Sequence, residues 1–326
     1  MKVLLVNPTY GGISGSGRHV KLLHEFLKNK MNFEIWSLHT IGYIDVPKLK
    51  SLSFYIRCKL RKIPNDVDLI HVHNPKFIGL LDRKLPSILT IHGSYQQELA
   101  TQYGILINPL IKYIERRLKS VNVITCVDPY TAEKMNWRWI PNMIDTEAVE
   151  KISPDDHERK LLWIGRDDPV KNHGLFRKIA KRVFERYGVH SMALGIRKGR
   201  YPSEEWINYD RVEWERVISY LKNAYALVIT SKVEGLPSTL LEAWAAKCPV
   251  VSVPLPSLKK LDEICGDVLK LANSYSPEDL YRMVAEVVEK KPTDMIKRAY
   301  AIVKEKFDAR IVSSQYYTIY ELLLKR

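Results

Sequence analysis

Short apolar runs alternate with longer amphipathic stretches along nearly the whole chain. An apolar run bounded by turn residues is typical of a strand buried on both faces, and an amphipathic stretch is typical of a helix that covers a sheet. The alternation therefore predicts an α/β protein with parallel sheets. The predicted strands are residues 3–6, 33–36, 69–72, 87–91 and 122–126 in the first half, and 161–164, 191–194, 226–230 and 249–253 in the second.

The chain also divides into two halves. At 326 residues it exceeds the size of about 250–300 residues at which a single core stops growing. The segment 142–159 is polar, contains Pro154 and has no strong periodicity, as expected of an interdomain linker. We therefore predict two domains, residues 1–153 and 154–310, with a boundary near Pro154. The predicted helices are 18–30, 49–62, 110–119, 173–187, 217–223, 238–246, 277–289 and 316–324.

Charge and cysteine content narrow the classes of function. A net charge of +14 favours anionic partners such as nucleic acid, an acidic membrane face or phosphorylated small molecules. The 4 cysteines have neither metal-site nor disulfide-framework spacing, so a reducing cytoplasm is the simplest setting. The apolar run at 3–6 is too short for a signal peptide, and no run approaches the roughly 18–20 residues of a spanning helix. Any membrane contact is expected to be peripheral.

A glycine-rich loop follows the first predicted strand and contains Gly11, Gly12, Gly15 and Gly17. Glycines let backbone N–H groups approach an anion at a helix N-terminus, so the loop is a candidate phosphate cradle. The alternative is a flexible surface loop. The dinucleotide fingerprint is excluded because Val20 occupies the position of its third glycine, and the Walker pattern is absent.

Histidines end two predicted strands of the first half: His71 and His73 flank Val72, and His92 precedes Gly93. The carboxyl ends of strands in an open α/β sheet face the ligand crevice. We expect His71 to be a satisfied core residue and His92 to line the crevice. No metal is expected, because the sequence offers no third ligand beside these residues.

Charged residues follow two strands of the second half. Arg166 ends a strand and Lys171 lies five residues later, a pair suited to a diphosphate, although solvated surface charge is the alternative. Glu234 lies in a Gly-Pro loop, where a carboxylate can accept sugar hydroxyls or balance positive charge. Glu242 follows in a predicted helix, with a capping box to Thr239 as its alternative role.

The ordered set of motifs resembles glycosyltransferase family 4, a family of retaining enzymes with the GT-B architecture of two Rossmann-like domains facing each other across a cleft. The motifs that carry the resemblance are Gly11-Gly12, Arg18-His19-Val20, His71-Val72-His73, Thr90-Ile91-His92-Gly93, Ile140-Pro141-Asn142, Gly165-Arg166 with Lys171, Glu234 with Glu242, and Pro249-Val250-Val251. In such an enzyme the first domain is the acceptor side and the second binds the donor, and a last helix at about 311–326 packs back on the first.

The resemblance implies transfer of a sugar, with retention, from a UDP- or GDP-sugar to a glycan, lipid-linked or protein-linked acceptor. It implies no resident cofactor and no metal. The residues it makes catalytic are Arg166, Lys171, Glu234 and His92. The residues it makes contacts of the donor nucleotide and diphosphate are Gly11, Gly12, Leu236, Ser238, Thr239 and Glu242.

Residues 48–63 form a basic amphipathic stretch with Lys and Arg but no acid. Such a helix can rest on an anionic membrane and bring the enzyme to a lipid-linked acceptor, or it can pack on the sheet with a solvated basic face. Two rival functions stay open: a nucleotide-sugar epimerase of the same fold and a basic nucleic-acid-binding protein. The scattered aromatic residues and the lack of a recognition motif disfavour the latter, so no nucleic acid partner is expected.

Overall fold

The computed structural model describes residues 1–12, 14–46, 49–81 and 84–325. The chain folds into two compact units, one formed by Met1–Met143 with Ala309–Arg326 and the other by Ile144–Asp308. Residues 144–153 therefore belong to the second unit, whereas the linker pattern places the boundary near Pro154. The reason lies in hydrogen bonding: the Ile144 N–H donates to the Phe307 carbonyl at 3.0 Å, and the Thr146 hydroxyl donates to Asp308 at 2.5 Å.

Each unit contains a six-stranded sheet whose strands are all parallel, with orders β2-β1-β3-β4-β5-β6 and β12-β11-β10-β7-β8-β9. The strands are β1 (Lys2–Val6), β2 (Asn32–Trp36), β3 (Leu69–Val72), β4 (Ser87–Ile91), β5 (Val123–Cys126), β6 (Arg138–Trp139), β7 (Lys160–Ile164), β8 (Ser191–Leu194), β9 (Ile207–Asp210), β10 (Ala224–Ile229), β11 (Val250–Ser252) and β12 (Lys270–Leu271). The predicted α/β class with parallel sheets is confirmed.

Helices connect the strands of both sheets. They are α1 (Gly15–Leu27), α2 (Leu38–Ile41), α3 (Lys50–Leu60), α4 (Tyr95–Tyr103), α5 (Asn108–Leu118), α6 (Pro129–Met135), α7 (Thr146–Lys151), α8 (His173–Tyr187), α9 (Trp214–Lys222), α10 (Ser238–Ala245), α11 (Pro256–Cys265), α12 (Pro277–Glu289), α13 (Thr293–Lys306) and α14 (Ala309–Leu324), with 3-10 helices at Pro75–Leu80 and Gly104–Ile107. The helix predicted at 316–324 is the second half of α14. Residue 326 of the expected 311–326 segment lies outside the described residues.

Every strand predicted from apolar runs is present, with its ends within two residues of the prediction. The strands without a prediction are β6, β9 and β12, which lie at sheet edges. An edge strand of two to four residues is not buried on both faces, so it lacks the continuous apolar run that marks an inner strand.

Two apolar clusters cover the first sheet. One joins the sheet to α1 and α14 through side chains such as Leu23, Tyr316 and Tyr320, and the other joins it to α3 and the first 3-10 helix through Phe54 and Phe77. The last helix therefore packs within the first unit although it follows the second in sequence.

The cysteines are all buried free thiols, and burial raises the pKa of Cys58, Cys126 and Cys248 to about 12 and that of Cys265 to about 11. Reactive cysteines need the opposite environment, one that favours the thiolate. Within the described ranges, no helix has both the length and the apolar content to cross a bilayer.

Candidate functional site

The chemistry of the second unit concentrates where two neighbouring strands end. Strands β7 and β10 are paired in parallel, so their carboxyl ends lie side by side at the same end of the sheet's strands. The loop at 165–172 follows β7 and carries Arg166 and Lys171, and the loop at 230–237 follows β10 and carries Glu234. The sheet therefore places these predicted residues in adjacent loops.

Lys171 and Glu234 form an ion pair between the two loops, with the ammonium donating to carboxylate Oε1. The Ser231 hydroxyl donates to the same oxygen at 2.7 Å. The Lys171 and Glu234 side chains are 22% and 14% exposed, so solvent screens the pair only in part. The pair is a half-buried, charged surface that polar groups of a ligand can reach.

Further hydrogen bonds hold the loops in fixed register. The Thr230 hydroxyl lies 3.0 Å from the Lys171 carbonyl and 3.1 Å from that of Asn172, and it accepts from Trp163 Nε1 at 3.0 Å. The Lys232 N–H donates to the Val170 carbonyl at 2.8 Å. The position of the Lys171 side chain relative to Glu234 is therefore set by backbone contacts as well as by charge.

Asp168 organises the loop after β7 and was not among the predicted site residues. Its Oδ1 accepts from the N–H groups of Val170 and Lys171 at 3.1 and 3.0 Å, and its Oδ2 accepts from Arg166 Nε at 2.9 Å. Arg166 is 68% exposed, so its remaining N–H groups face solvent. The signal that marks Asp168 in sequence is its place before Pro169, since Asp commonly bonds backbone N–H groups two or three residues on.

Helix α10 begins at Ser238, with Pro237 as its N-cap, and the side chain of Pro237 makes no capping hydrogen bond. Thr239 is therefore inside the helix, and the capping box considered for Thr239 and Glu242 is wrong. Ser238 and Thr239 form the first turn, where the helix dipole attracts negative charge. Leu236, just before the helix, is buried.

Glu242 is 1% exposed and accepts a hydrogen bond from Trp214 Nε1 at 3.2 Å. Trp214 opens α9, so the bond joins two helices of the second unit. A carboxylate buried to this extent needs hydrogen-bond donors around it. Glu242 is thus a fixed acceptor close to the start of α10 rather than a mobile surface group.

Two glycines of the glycine-rich loop in the first unit lie just ahead of α1. Gly11 and Gly12 both have φ near +70°, a conformation that favours glycine. The Gly11 N–H donates to the Gly17 carbonyl at 2.8 Å, and Ser14 caps α1 by accepting from the Gly17 N–H. The helix starts at Gly15, three residues before the prediction, and Ile13 of the same loop lies outside the described residues.

Histidines of the first unit gather near the carboxyl ends of β3 and β4. His92 Nε2 lies 3.3 Å from His73 Nδ1, and the ring of His19 lies 5.0 Å from that of His92 between centroids. His19 Nδ1 also lies 3.2 Å from the Asn142 side-chain oxygen. His71 is fully buried, with Tyr320 and Thr90 hydroxyls each 2.7 Å from a ring nitrogen. The expectation of a satisfied core residue is confirmed for His71.

Burial keeps this cluster neutral. Loss of hydration lowers the pKa of His92 to about 4, and a hydrogen bond with the Asn142 side chain opposes this shift in part. Burial, reinforced by the neighbouring imidazoles, lowers the pKa values of His19, His71 and His73 well below the ordinary value. In the sequence, His19 stands out only as part of the motif Arg18-His19-Val20, because a histidine on a helix carries no sign of what it faces. Its ring neighbours His73 and His92 follow β3 and β4, more than 50 residues away in the chain.

Each unit thus holds one part of the predicted set. Arg166, Lys171, Glu234, Leu236, Ser238, Thr239 and Glu242 belong to the second unit, and Gly11, Gly12 and His92 to the first. Within the described residues, one group of side chains has ligating atoms close enough to share a metal ion: Asp155, Asp156 and His157. Asp155 also forms an ion pair with Arg216 at 3.0 Å. None of these belongs to the predicted set.

Two family models match the chain in succession: Glycosyltransferase Family 4 over residues 13–148 and Glycosyl transferases group 1 over residues 145–302. An uncharacterized glycosyltransferase of Methanocaldococcus jannaschii is 25% identical over 337 residues, covering 88% of each chain. Sucrose-phosphate synthase of Thermosynechococcus elongatus has a TM-score of 0.80 at 13% identity and 99% coverage of both chains. Anabaena HepE, solved in complex with UDP, has a TM-score of 0.72 at 13% identity, covering 98% of this chain and 100% of that one.

Proposed function

The chain belongs to the GT-B glycosyltransferases of the family 4 type, and from this premise we propose that it transfers a sugar from a UDP-sugar with retention of configuration. Sugar transfer from a nucleotide sugar follows from the family itself. The proposal adds the nucleotide, the stereochemistry, independence of metal and an acceptor that is a glycan or is linked to lipid or protein.

The observation that carries the proposal is the Lys171–Glu234 ion pair beside Arg166. An ammonium has three hydrogens, so Lys171 can keep Glu234 while it binds a phosphate oxygen. The exposed Arg166 guanidinium offers further donors suited to a phosphate. Two cations in a loop fixed by Asp168 are a preorganised site for charge that grows on a departing diphosphate.

In the proposed reaction, the bond between the sugar C1 and the diphosphate oxygen breaks, and the oxygen keeps the electron pair. The acceptor hydroxyl oxygen forms the new bond to C1 on the same face, and its proton passes to the departing phosphate oxygen. Arg166 and Lys171 stabilise the negative charge at the diphosphate. Glu234 accepts hydroxyl hydrogen bonds from the sugar as positive charge develops on its ring.

The first unit contributes backbone and neutral donors in this proposal. Because Gly11 and Gly12 have no side chain, a phosphate can approach the backbone N–H groups at the start of α1, where the helix dipole favours an anion. His92 binds a hydroxyl of the transferred sugar as a neutral imidazole, since its pKa of about 4 keeps it uncharged near pH 7. Neutrality matters because a cationic ring would oppose the positive charge that develops on the sugar.

The choice of UDP is supported by HepE, which has been solved with UDP and with UDP-glucose. GDP is the alternative nucleotide. Glu242 and the first turn of α10, with Ser238 and Thr239, supply the proposed ribose and phosphate contacts. Metal independence is supported by the paired cations, which offset the diphosphate charge that a divalent ion would otherwise balance.

The proposal is tested first by binding. A ligand that binds only the folded protein raises the melting temperature, by an amount worth about 2.7 kcal/mol at a hundred times its Kd. We expect stabilisation by UDP and UDP-sugars in the presence of EDTA, and little effect of UMP. Stabilisation by GDP alone would replace the nucleotide assignment, and a requirement for Mg²⁺ would contradict metal independence.

Product analysis then tests the reaction. UDP release with a panel of glycan and lipid-linked acceptors identifies the acceptor class, and the H1–H2 coupling of the product reports the anomeric configuration. Inversion would contradict the retaining mechanism. Conversion of the free nucleotide sugar without any acceptor product would instead identify an epimerase.

A further inference from the structure

The surface around α3 exposes an unusual share of the apolar side chains. Of the 15 large hydrophobic side chains exposed among the described residues, six lie between residues 44 and 60. They are Ile44, Val46, Leu49, Leu52, Ile56 and Leu60, which together we name the α3 surface. The exposure is large, reaching 53% at Leu52 and 81% at Leu60. Scattered exposed leucines are ordinary, but a contiguous group marks an interaction surface.

The apolar stripe of α3 faces solvent while the opposite side of the helix anchors it. Phe54 and Cys58 are buried in the core cluster of the first unit. At about 100° per residue, Leu49, Leu52, Ile56 and Leu60 fall within about 80° of the helix circumference. The sequence pattern could not tell which side of this helix packs on the sheet. The fold buries Phe54 and Cys58 and leaves the regular apolar stripe outside.

Basic side chains border the stripe on both sides. In the same helical projection Lys59 lies next to one edge of it and Arg57 beyond the other. Lys50 pairs with Asp45 at 3.7 Å and Arg61 with Glu34 at 4.0 Å. Among the described residues, Arg57, Lys59 and Lys62 take part in no ion pair. Lys48, a further cation of the basic stretch 48–63, lies outside the described residues.

We propose that the α3 surface docks on an anionic lipid bilayer. The apolar stripe would enter the boundary between headgroups and acyl chains, and the bordering cations would contact headgroup phosphates. Long basic side chains suit this arrangement because their stems lie along apolar surface while their charges reach the polar layer. A second copy of the chain is a poor occupant, since two α3 surfaces would bring cations of the same sign together. The inference rests on this surface alone and does not depend on the proposed donor chemistry.

Vesicle co-sedimentation of the full chain tests the docking. We expect binding to phosphatidylcholine vesicles that contain phosphatidylglycerol, little binding to pure phosphatidylcholine, and release at high salt. Arg57→Gln/Lys59→Gln should weaken binding on the order of thirtyfold, from about 1 kcal/mol per basic residue near an anionic surface. Leu52→Gln/Ile56→Gln should also weaken it, because the apolar stripe loses two of its members.

Matched controls come from exposed positions elsewhere. Leu322→Gln changes a leucine of α14 that is 55% exposed, and Lys290→Gln/Lys297→Gln removes two cations near α13. We expect both controls to bind vesicles like the unaltered protein, and all variants to keep its melting temperature. Equal loss in the controls, or no binding to anionic vesicles, would overturn the proposal. Concentration-dependent self-association that Leu52→Gln/Ile56→Gln abolishes would assign the surface to a second copy instead.

Discussion

The Lys171 ammonium donates a hydrogen bond to the Glu234 carboxylate across 63 residues of sequence. The contact exists because β7 and β10 are parallel neighbours in the second sheet. The loops that follow them therefore start side by side, at the carboxyl ends of the two strands. Thr230 and Lys232 hold those loops together through the backbone. The order of strands in the second sheet therefore decides that these two charged side chains meet.

Loss of either partner should slow the reaction. Lys171→Ala and Glu234→Gln are each expected to lower kcat by on the order of a hundredfold, since each removes one preorganised contact to the transition state. Steady-state kinetics with the UDP-sugar and its acceptor measure the effect. The exposed Lys181–Glu185 pair of α8 gives the control, and Lys181→Ala and Glu185→Gln should leave kcat unchanged. Near-normal turnover in a site variant would exclude that residue from the mechanism.

Asp168 should act as a positioning residue for Arg166 and Lys171. Asp168→Ala removes the acceptor of two backbone N–H groups and of one Arg166 bond, and a typical hydrogen bond contributes about 0.5–1.5 kcal/mol to the free energy of unfolding. We expect the KM for the donor to rise about tenfold, the equivalent of about 1.4 kcal/mol. Asp168→Asn keeps an oxygen that can accept the backbone bonds and should recover most of the loss. A merely structural role would lower the melting temperature and leave the KM unchanged.

Because its buried histidines are neutral, the protein should have a lower free energy of unfolding at acidic pH. Their folded pKa values lie below the unfolded value of about 6.5, so the unfolded chain binds more protons as the pH falls. Stability is therefore full above about pH 6.5 and declines below it. For His92, with a pKa of about 4, the loss between pH 7 and pH 5 is about 2 kcal/mol.

Urea unfolding at a series of pH values checks this slope. His73→Gln should make the dependence shallower between pH 5 and 6.5, whatever its effect on absolute stability, because one buried imidazole no longer titrates. Stability that stays constant from pH 7 to pH 5 would show that the cluster does not hold its histidines neutral.

Gly17 should not tolerate a side chain. A Cβ there would lie 2.5 Å from the Gly11 carbonyl oxygen and 2.8 Å from Thr9 Oγ1, so the glycine-rich loop would have to move. We expect Gly17→Ala to cost about 1–3 kcal/mol of unfolding free energy and to weaken UDP binding. Gly174→Ala in α8 meets no atom within 4 Å and should be neutral or stabilising by up to about 1 kcal/mol. Equal stability of the two variants would contradict the tight loop.

Residue types at strand ends were readable from sequence because the signal is local. An apolar run marks a strand, and the residues after it mark the loop, which is how Arg166, Lys171 and Glu234 were found. Asp168 was not predicted as a site residue, because its role is to accept hydrogen bonds from backbone N–H groups of its own loop. Glu242 was found, but its partner Trp214 was not, since no local pattern links residues on two helices.

The amino-acid sequence by itself determined the α/β class, the inner strands and the order of the chemical motifs, because all of these are written in patterns a few residues long. Only the tertiary structure decided that His19 joins His73 and His92, that Lys171 meets Glu234, and that the apolar stripe of α3 lies outside. The physical reason is that pairing, pKa and exposure depend on which surfaces exclude water, and that depends on elements distant in the chain.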